Sequence, residues 1–424
     1  MYYLVYVMEK MSSSYIDKIT YFEEVHETAY RNGVIEYNTS SQKILGVRIY
    51  RGGCLVVRSS NKVSNHNDLL RDLGTKDTVC IDTLPWYDKE YYNGRVSFGK
   101  PSEQEELDNL VRDIAKTLSS LGLAVEVIGV SRKTRLEIES ITTGSTGIEE
   151  RYFYELYIYP YTMYMGRLLS TGFFYAGESL KDLYDRTRHV VDDIKTLFAS
   201  ILKARRLNPA YTGKWLVVLT GEASPAFYHE LAHLLQGDEP IKLRKGFTLT
   251  QELTMYEDPF YPGPLKHLFD DELYPSWRRK LVEKGVVVDY LHTRTTCGTG
   301  SESKPGNARG LFTRSKPLHH QLIIAHGTWS FDEMLMESRR SIVVPKIIKA
   351  EITGDYIKIT PEITWVAEKD KLSPVKISEI AVPISRLNEV IIGLGKKSSE
   401  RVSYEKNMLV YEVAPETLLE ARVS

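Results

Sequence analysis

Ser224-Pro225-Ala226-Phe227-Tyr228-His229-Glu230-Leu231-Ala232-His233-Leu234-Leu235-Gln236-Gly237 carries an H-E-x-x-H pattern on what reads as a short helix. Ser224 is expected as the N-cap, with Pro225 at the first helical position, where a missing N–H costs nothing. Gly237 supplies the left-handed residue that ends the helix. Phe227, Leu231 and Leu234 form one apolar stripe, and His229 and His233 lie one turn apart on another face. Two imidazoles so placed can hold a tetrahedral zinc ion, with Glu230 as general base. The bland alternative is a helix with two solvated or core histidines. The context favours the metal: Trp215–Leu219 is a compact apolar strand, and Thr220–Ala223 turns it into the helix.

Working outward, the chain has 424 residues, enough for two or three domains. Its net charge of −1 gives no basic surface for nucleic acid, so none is expected as a partner. No apolar run approaches the ~20 residues of a membrane span, so no membrane partner is expected. Met1 to Met8 is apolar but short and lacks a basic leader, so it is not read as a signal peptide. Cys54, Cys80 and Cys297 are odd in number and form no C-x-x-C, which suggests a reducing, cytoplasmic setting without a disulfide framework.

Along the chain, Glu27 to Val57 alternates in short strand-like runs with a turn at Arg31-Asn32-Gly33. Ser102 to Leu121 is an amphipathic helix, with Ser102 as cap and Glu105 completing a capping box. Ala124 to Arg167 reads as strands broken at Thr142–Gly147. Leu180 to Leu207 is a second long helical pattern. The Asn208-Pro209-Ala210-Tyr211-Thr212-Gly213 segment is the expected domain boundary. Beyond it, Trp329 to Arg340 is the one further helical stretch, and Val343 to Val423 alternates as antiparallel sheet.

These segments, taken in order, resemble the TldD/PmbA family, metallopeptidases once named as modulators of DNA gyrase. The resemblance is carried by Gly46-Val47-Arg48-Ile49-Tyr50-Arg51-Gly52-Gly53, by His229-Glu230 through His233 to Gly237-Asp238, and by Glu257-Asp258-Pro259 and Asp270-Asp271-Glu272. Leu281–Leu291, Gly306-Asn307-Ala308-Arg309 and Gly327–Glu333 extend it over most of the chain. The resemblance implies an α+β protein: an α/β domain over residues 1–207, with long helices and a twisted sheet, and a mostly antiparallel β domain over 208–424 carrying the H-E-x-x-H helix. It also implies cleavage of unfolded or flexible peptides in an enclosed cavity, by a homodimer or a heterodimer of related subunits. The family's metal ligands are two helical histidines and a cysteine near the C-terminus.

The sequence departs from that pattern twice. The family's usual H-E-x-x-x-H is shortened by one residue, and no cysteine follows residue 297. Leu394 or Gly395, in Ile392–Lys397, stands where the thiolate is expected. The third metal position is therefore open to water by default, or to a mobile residue such as Cys297. Glu252 is read as a strand residue and not a ligand, and His319-His320 as a surface pair. The expectation is a zinc-dependent peptidase with ligands His229 and His233 and base Glu230. The rival is a non-catalytic subunit that shapes the cavity for an active partner.

Overall fold

The computed structural model describes residues 14–51, 54–71, 86–207, 212–239, 243–297, 303–337, 340–368 and 371–424. Met1 to Met8, Cys80 and most of the expected boundary at 208–213 lie outside those residues. The fold is mixed α+β, with a sheet-rich C-terminal region. The chain forms two compact units: Met1–Arg188 with Lys266–Trp277 and His292–Leu318, and His189–Leu265 with Arg278–Leu291 and His319–Ser424.

The first unit is built on a sheet of eight strands among the described residues. Strands Ser14–Arg31 and Val34–Arg51 pair antiparallel from end to end. Asn32 and Gly33, at φ 50° and 85°, form the two-residue turn whose twist matches the strands. The helix Gln104–Ser120 buries Leu107, Leu110, Val111, Ile114 and Leu118. It starts after Glu103, which makes no side-chain cap bond, so the expected Ser102 capping box is absent. The Asp270-Asp271-Glu272 segment is a structural knot. Asp270 accepts from the amides of Glu272, Tyr274 and Ala308 at 2.9–3.0 Å, which ties it to Gly306–Arg309. Buried Arg48 donates to the Asp271 carbonyl at 2.8 Å, and buried Arg294 to the carbonyls of Tyr87 and Glu90 at 2.7 and 2.8 Å. Cys54 is disulfide-bonded, contrary to the expected reducing setting without a disulfide framework; pairing depends on Cα separation, which cysteine counts do not reveal.

The second unit holds a mixed sheet of twelve strands among the described residues. Its organising strand is Met408–Val423. One edge pairs with Gln321–Ile324 and Gly213–Leu219, the other with Ile391–Glu405 and Ile380–Pro383. The expected long helix at 180–207 is two helices, Leu180–Thr187 and Val190–Lys203. Thr187 Oγ1 bonds back to the Leu183 carbonyl at 2.8 Å, a contact that bends helices where it occurs. The helical stretch after Trp329 shortens to Phe331–Met336, started by a Ser330–Glu333 capping box. Among the described residues, no helix is long and apolar enough to cross a membrane.

Candidate metal centre

The H-E-x-x-H helix is Ala223–His233, and Ala223 through Ala232 are all buried. A helix enclosed on every side lies inside a core, not on its surface. It is fed by the strand Gly213–Leu219 through a turn that requires glycine. Gly221 has φ +51°, and a Cβ there would stand 2.4 Å from the Pro345 carbonyl oxygen. The amides of Thr220 and Glu222 bond to the carbonyls of Val344 and Pro345, fixing the helix against the strand Arg340–Thr353. The cap is Glu222, not Ser224. Ser224 is buried inside the first turn, and its hydroxyl donates to the Pro415 carbonyl at 2.6 Å. Pro225 is the third helical residue and not the first, but it costs no hydrogen bond, because a first-turn N–H has no helical acceptor in any case. The helix ends at His233, four residues before Gly237, which is not in the left-handed region.

His229 and Glu230 are 5% and 8% exposed, so their polar groups need partners. Nδ1 of His229 lies 2.8 Å from Oε1 of Glu412, and Nε2 lies 3.1 Å from Nε2 of His233. Glu412 is fully buried and also meets Nε2 of His319 at 3.3 Å and Nη1 of Arg401 at 3.4 Å. Burial alone would raise its pKa, but Arg401, His229 and His319 outweigh it and hold the carboxylate ionised. An ionised carboxylate only accepts, so Nδ1 of His229 carries its proton and Nε2 is the atom turned to His233. Nδ1 of His233 in turn meets the Gln236 side-chain amide at 2.9 Å. A flip of that amide sets its carbonyl oxygen on Nδ1–H and leaves Nε2 of His233 as the free lone pair.

Glu405, at the end of the strand Ile391–Glu405, brings Oε2 to 3.8 Å from Nε2 of His229. The donor atoms of His229, His233 and Glu405 all lie within 4.8 Å of one another. Tetrahedral zinc with bonds of about 2.0–2.1 Å separates neighbouring donors by about 3.4 Å. The observed 3.1 and 3.8 Å bracket that value, so the residues fit a zinc ion.

The charges around this point are strongly shifted. Burial works against a charged His229, but Glu405 and Glu412 prevail and raise its pKa to about 9. Burial, then the charge on His229, lowers His233 to about 4. His229 lowers Glu405 to about 2. Without metal, a proton therefore sits between the two Nε2 atoms. Glu230 is shifted the other way: burial raises its pKa.

The other sequence candidates fall elsewhere. Leu394 is buried in the apolar core, and its amide donates to Glu252 at 3.2 Å, so Glu252 supports that strand. Cys297 is buried in the first unit and its thiol donates to the Ser303 carbonyl at 2.8 Å. His319 is no surface residue; it is fully buried against Glu412. Glu405 and Glu412 are site residues that reading the sequence misses. A signal exists for Glu412: one carboxylate inside the apolar run Leu409-Val410-Tyr411-Glu412-Val413-Ala414.

Residues 212–417, which include all of these site residues, match the family of the PmbA/TldA metallopeptidase C-terminal domain. A metalloprotease of Methanocaldococcus jannaschii is 30% identical over 178 residues, 39% of this chain and 38% of that protein. A metalloprotease of Archaeoglobus fulgidus is 29% identical over 140 residues, 31% of this chain and 33% of that protein. The aligned segments thus span 38% and 33% of the two relatives. TldE from Thermococcus kodakarensis superposes with a TM-score of 0.73 at 16% identity, covering 100% of this chain and 99% of that one. A protein described as a modulator of DNA gyrase from Bacteroides thetaiotaomicron gives a TM-score of 0.76 at 14% identity, covering 100% and 97%. Those two likenesses are of fold. Residues 212–417 thus form a PmbA/TldA metallopeptidase C-terminal domain, and the fold of the chain is the one it shares with those two structures.

Proposed function

We propose that this chain is a zinc-dependent peptidase in which His229 and His233 hold the metal and Glu230 is the general base. The observation that supports it is the pair of facing Nε2 atoms, 3.1 Å apart, on a buried helix whose other ring nitrogens are already engaged. When bound, zinc supplies a Lewis acid that polarises the scissile carbonyl. Glu412 fixes the ring of His229 and the tautomer that leaves Nε2 available. Glu230, with its pKa raised by burial, takes the proton from the attacking water and delivers it to the leaving amine. The Ile352 amide bonds its charged form.

The metalloprotease names of the archaeal relatives support the reaction class. The proposed substrates are flexible or unfolded peptides, and the proposed working form is a homodimer or a heterodimer with a related subunit. The retained His229-Glu230-His233 set favours this reading over a non-catalytic subunit. The test is zinc content and hydrolysis of a quenched-fluorescent peptide library. One zinc per chain, lost together with hydrolysis in His229→Ala, is expected. Metal-free, inactive protein that folds normally would refute it.

A further inference from the structure

The zinc reading leaves the third protein ligand unassigned, and the position expected from the family lacks a donor. Leu394 pairs with Thr417 across the hairpin of Ile391–Glu405 and Met408–Val423. Thr417 Oγ1 lies 3.1 Å from the hydroxyl of Ser224 and 3.2 Å from that of Tyr228, on the part of the site helix before His229. Leu394 itself is fully buried in the apolar core and its side chain has no donor atom.

The same hairpin reaches the histidines with its other end. Arg401 pairs with Glu412, and Glu405 with Met408, closing on a two-residue turn. Lys406 and Asn407 have φ 50° and 67°, the left-handed pair typical of a tight hairpin turn. Glu405 is therefore a fixed residue on a paired strand, not the end of a loose loop. Its side chain is 23% exposed, which leaves a path for an incoming ion.

Glu412 does not compete for the role. Its Oε1 faces both His229 and His319, its Oε2 faces Arg401, and a guanidinium 3.4 Å away repels a divalent cation.

We propose that Glu405 is the third protein ligand of the metal, so that the donor set is two imidazoles and one carboxylate in place of two imidazoles and a thiolate. The assignment rests on the zinc reading above. It accounts for the missing thiolate. A His₂Glu set leaves the fourth position of a catalytic zinc open, and the i, i+4 spacing of His229 and His233 on a regular helix suits it. A carboxylate also makes the site harder than a thiolate would, favouring zinc, cobalt(II) and manganese(II) over copper(I).

The test uses the full chain stripped of metal and titrated with zinc and with cobalt(II). The variants are His229→Ala, Glu405→Gln, Glu405→Cys and, as control, Leu394→Cys, with circular dichroism to check folding. Wild type is expected to bind one equivalent, and Glu405→Gln to lose more than about 100-fold in zinc affinity, beyond what outer partners contribute. Cobalt-loaded Glu405→Cys is expected to gain a thiolate-to-cobalt charge-transfer band absent from wild type and from Leu394→Cys. Wild-type affinity in Glu405→Gln, or weakened affinity with no such band in Glu405→Cys, would overturn the assignment while leaving the zinc reading intact. A wild type that takes up no metal would overturn both.

Discussion

Glu412 takes the Nδ1 proton bond of His229 at 2.8 Å while its own side chain is sealed from solvent. The strand that completes the sheet therefore also sets the tautomer of a metal-facing histidine. Glu412→Gln keeps the shape and removes the charge. It is expected to weaken zinc binding about 10–100-fold. It is also expected to cost about 3–5 kcal/mol of stability, because Arg401 and His319 lose a buried counter-charge. Metal titration and urea denaturation measure the two effects.

Glu230→Gln separates chemistry from binding. The side chain is buried and feels the charge of His229, but it is not among the donors gathered with His229 and His233. Zinc content should be unchanged, while peptide hydrolysis falls about 10²–10⁴-fold. Parallel metal analysis and kcat/KM on one preparation check this.

Metal-free protein should show a bell-shaped stability profile from the two histidines. His229, raised from 6.5 to about 9, contributes stability that is present below pH 6.5 and lost as pH rises through 9. His233, lowered from 6.5 to about 4, contributes stability that is present above 6.5 and lost as pH falls through 4. Their joint contribution peaks near pH 6.5. Glu405, lowered from 4.5 to about 2, adds a further loss at the acid end. Glu230, raised by burial, partly offsets the acid limb. Thermal melts in chelator across the range from about pH 4 to about pH 9 test the shape. At neutral pH, zinc must displace the proton between the Nε2 atoms, so binding should release about one proton. Calorimetry in buffers of different ionisation enthalpy reads that number.

Gly221→Ala probes the mount of the helix. A Cβ would meet the Pro345 carbonyl at 2.4 Å, and φ +51° is unfavourable for alanine. A loss of about 1–3 kcal/mol is expected, with weaker zinc binding as the helix shifts. Gly246→Ala has the same class of backbone angle, φ +83°, but open space around the Cβ, so it is the milder control.

The helix, its two histidines and the strand before it are legible because their signals are local. Ser224 misleads because a buried hydroxyl can find a partner far along the chain, here Pro415, instead of capping its own helix. Glu405 and Glu412 escape notice as site residues because strand periodicity says which face a residue shares, not what lies across from it. His319 looks like a surface residue for the same reason: only the partner carboxylate explains a buried imidazole. The helix break after Thr187 lies inside an apolar repeat that continues on both sides of it, so the pattern alone reads through it.

The dependence on Met408–Val423 has a consequence during synthesis. On a ribosome making about 5–20 residues per second, the sequence separation of 183 from His229 to Glu412 takes roughly 10 to 40 s to synthesise. Throughout that interval the apolar helix Ala223–His233 lacks the strand Met408–Val423 and the counter-charge for its histidine, although Gly213–Leu219 precedes it and Arg340–Thr353 emerges earlier. The nascent chain is then most exposed to proteases and to aggregation, and it is the stage at which a chaperone would protect it most.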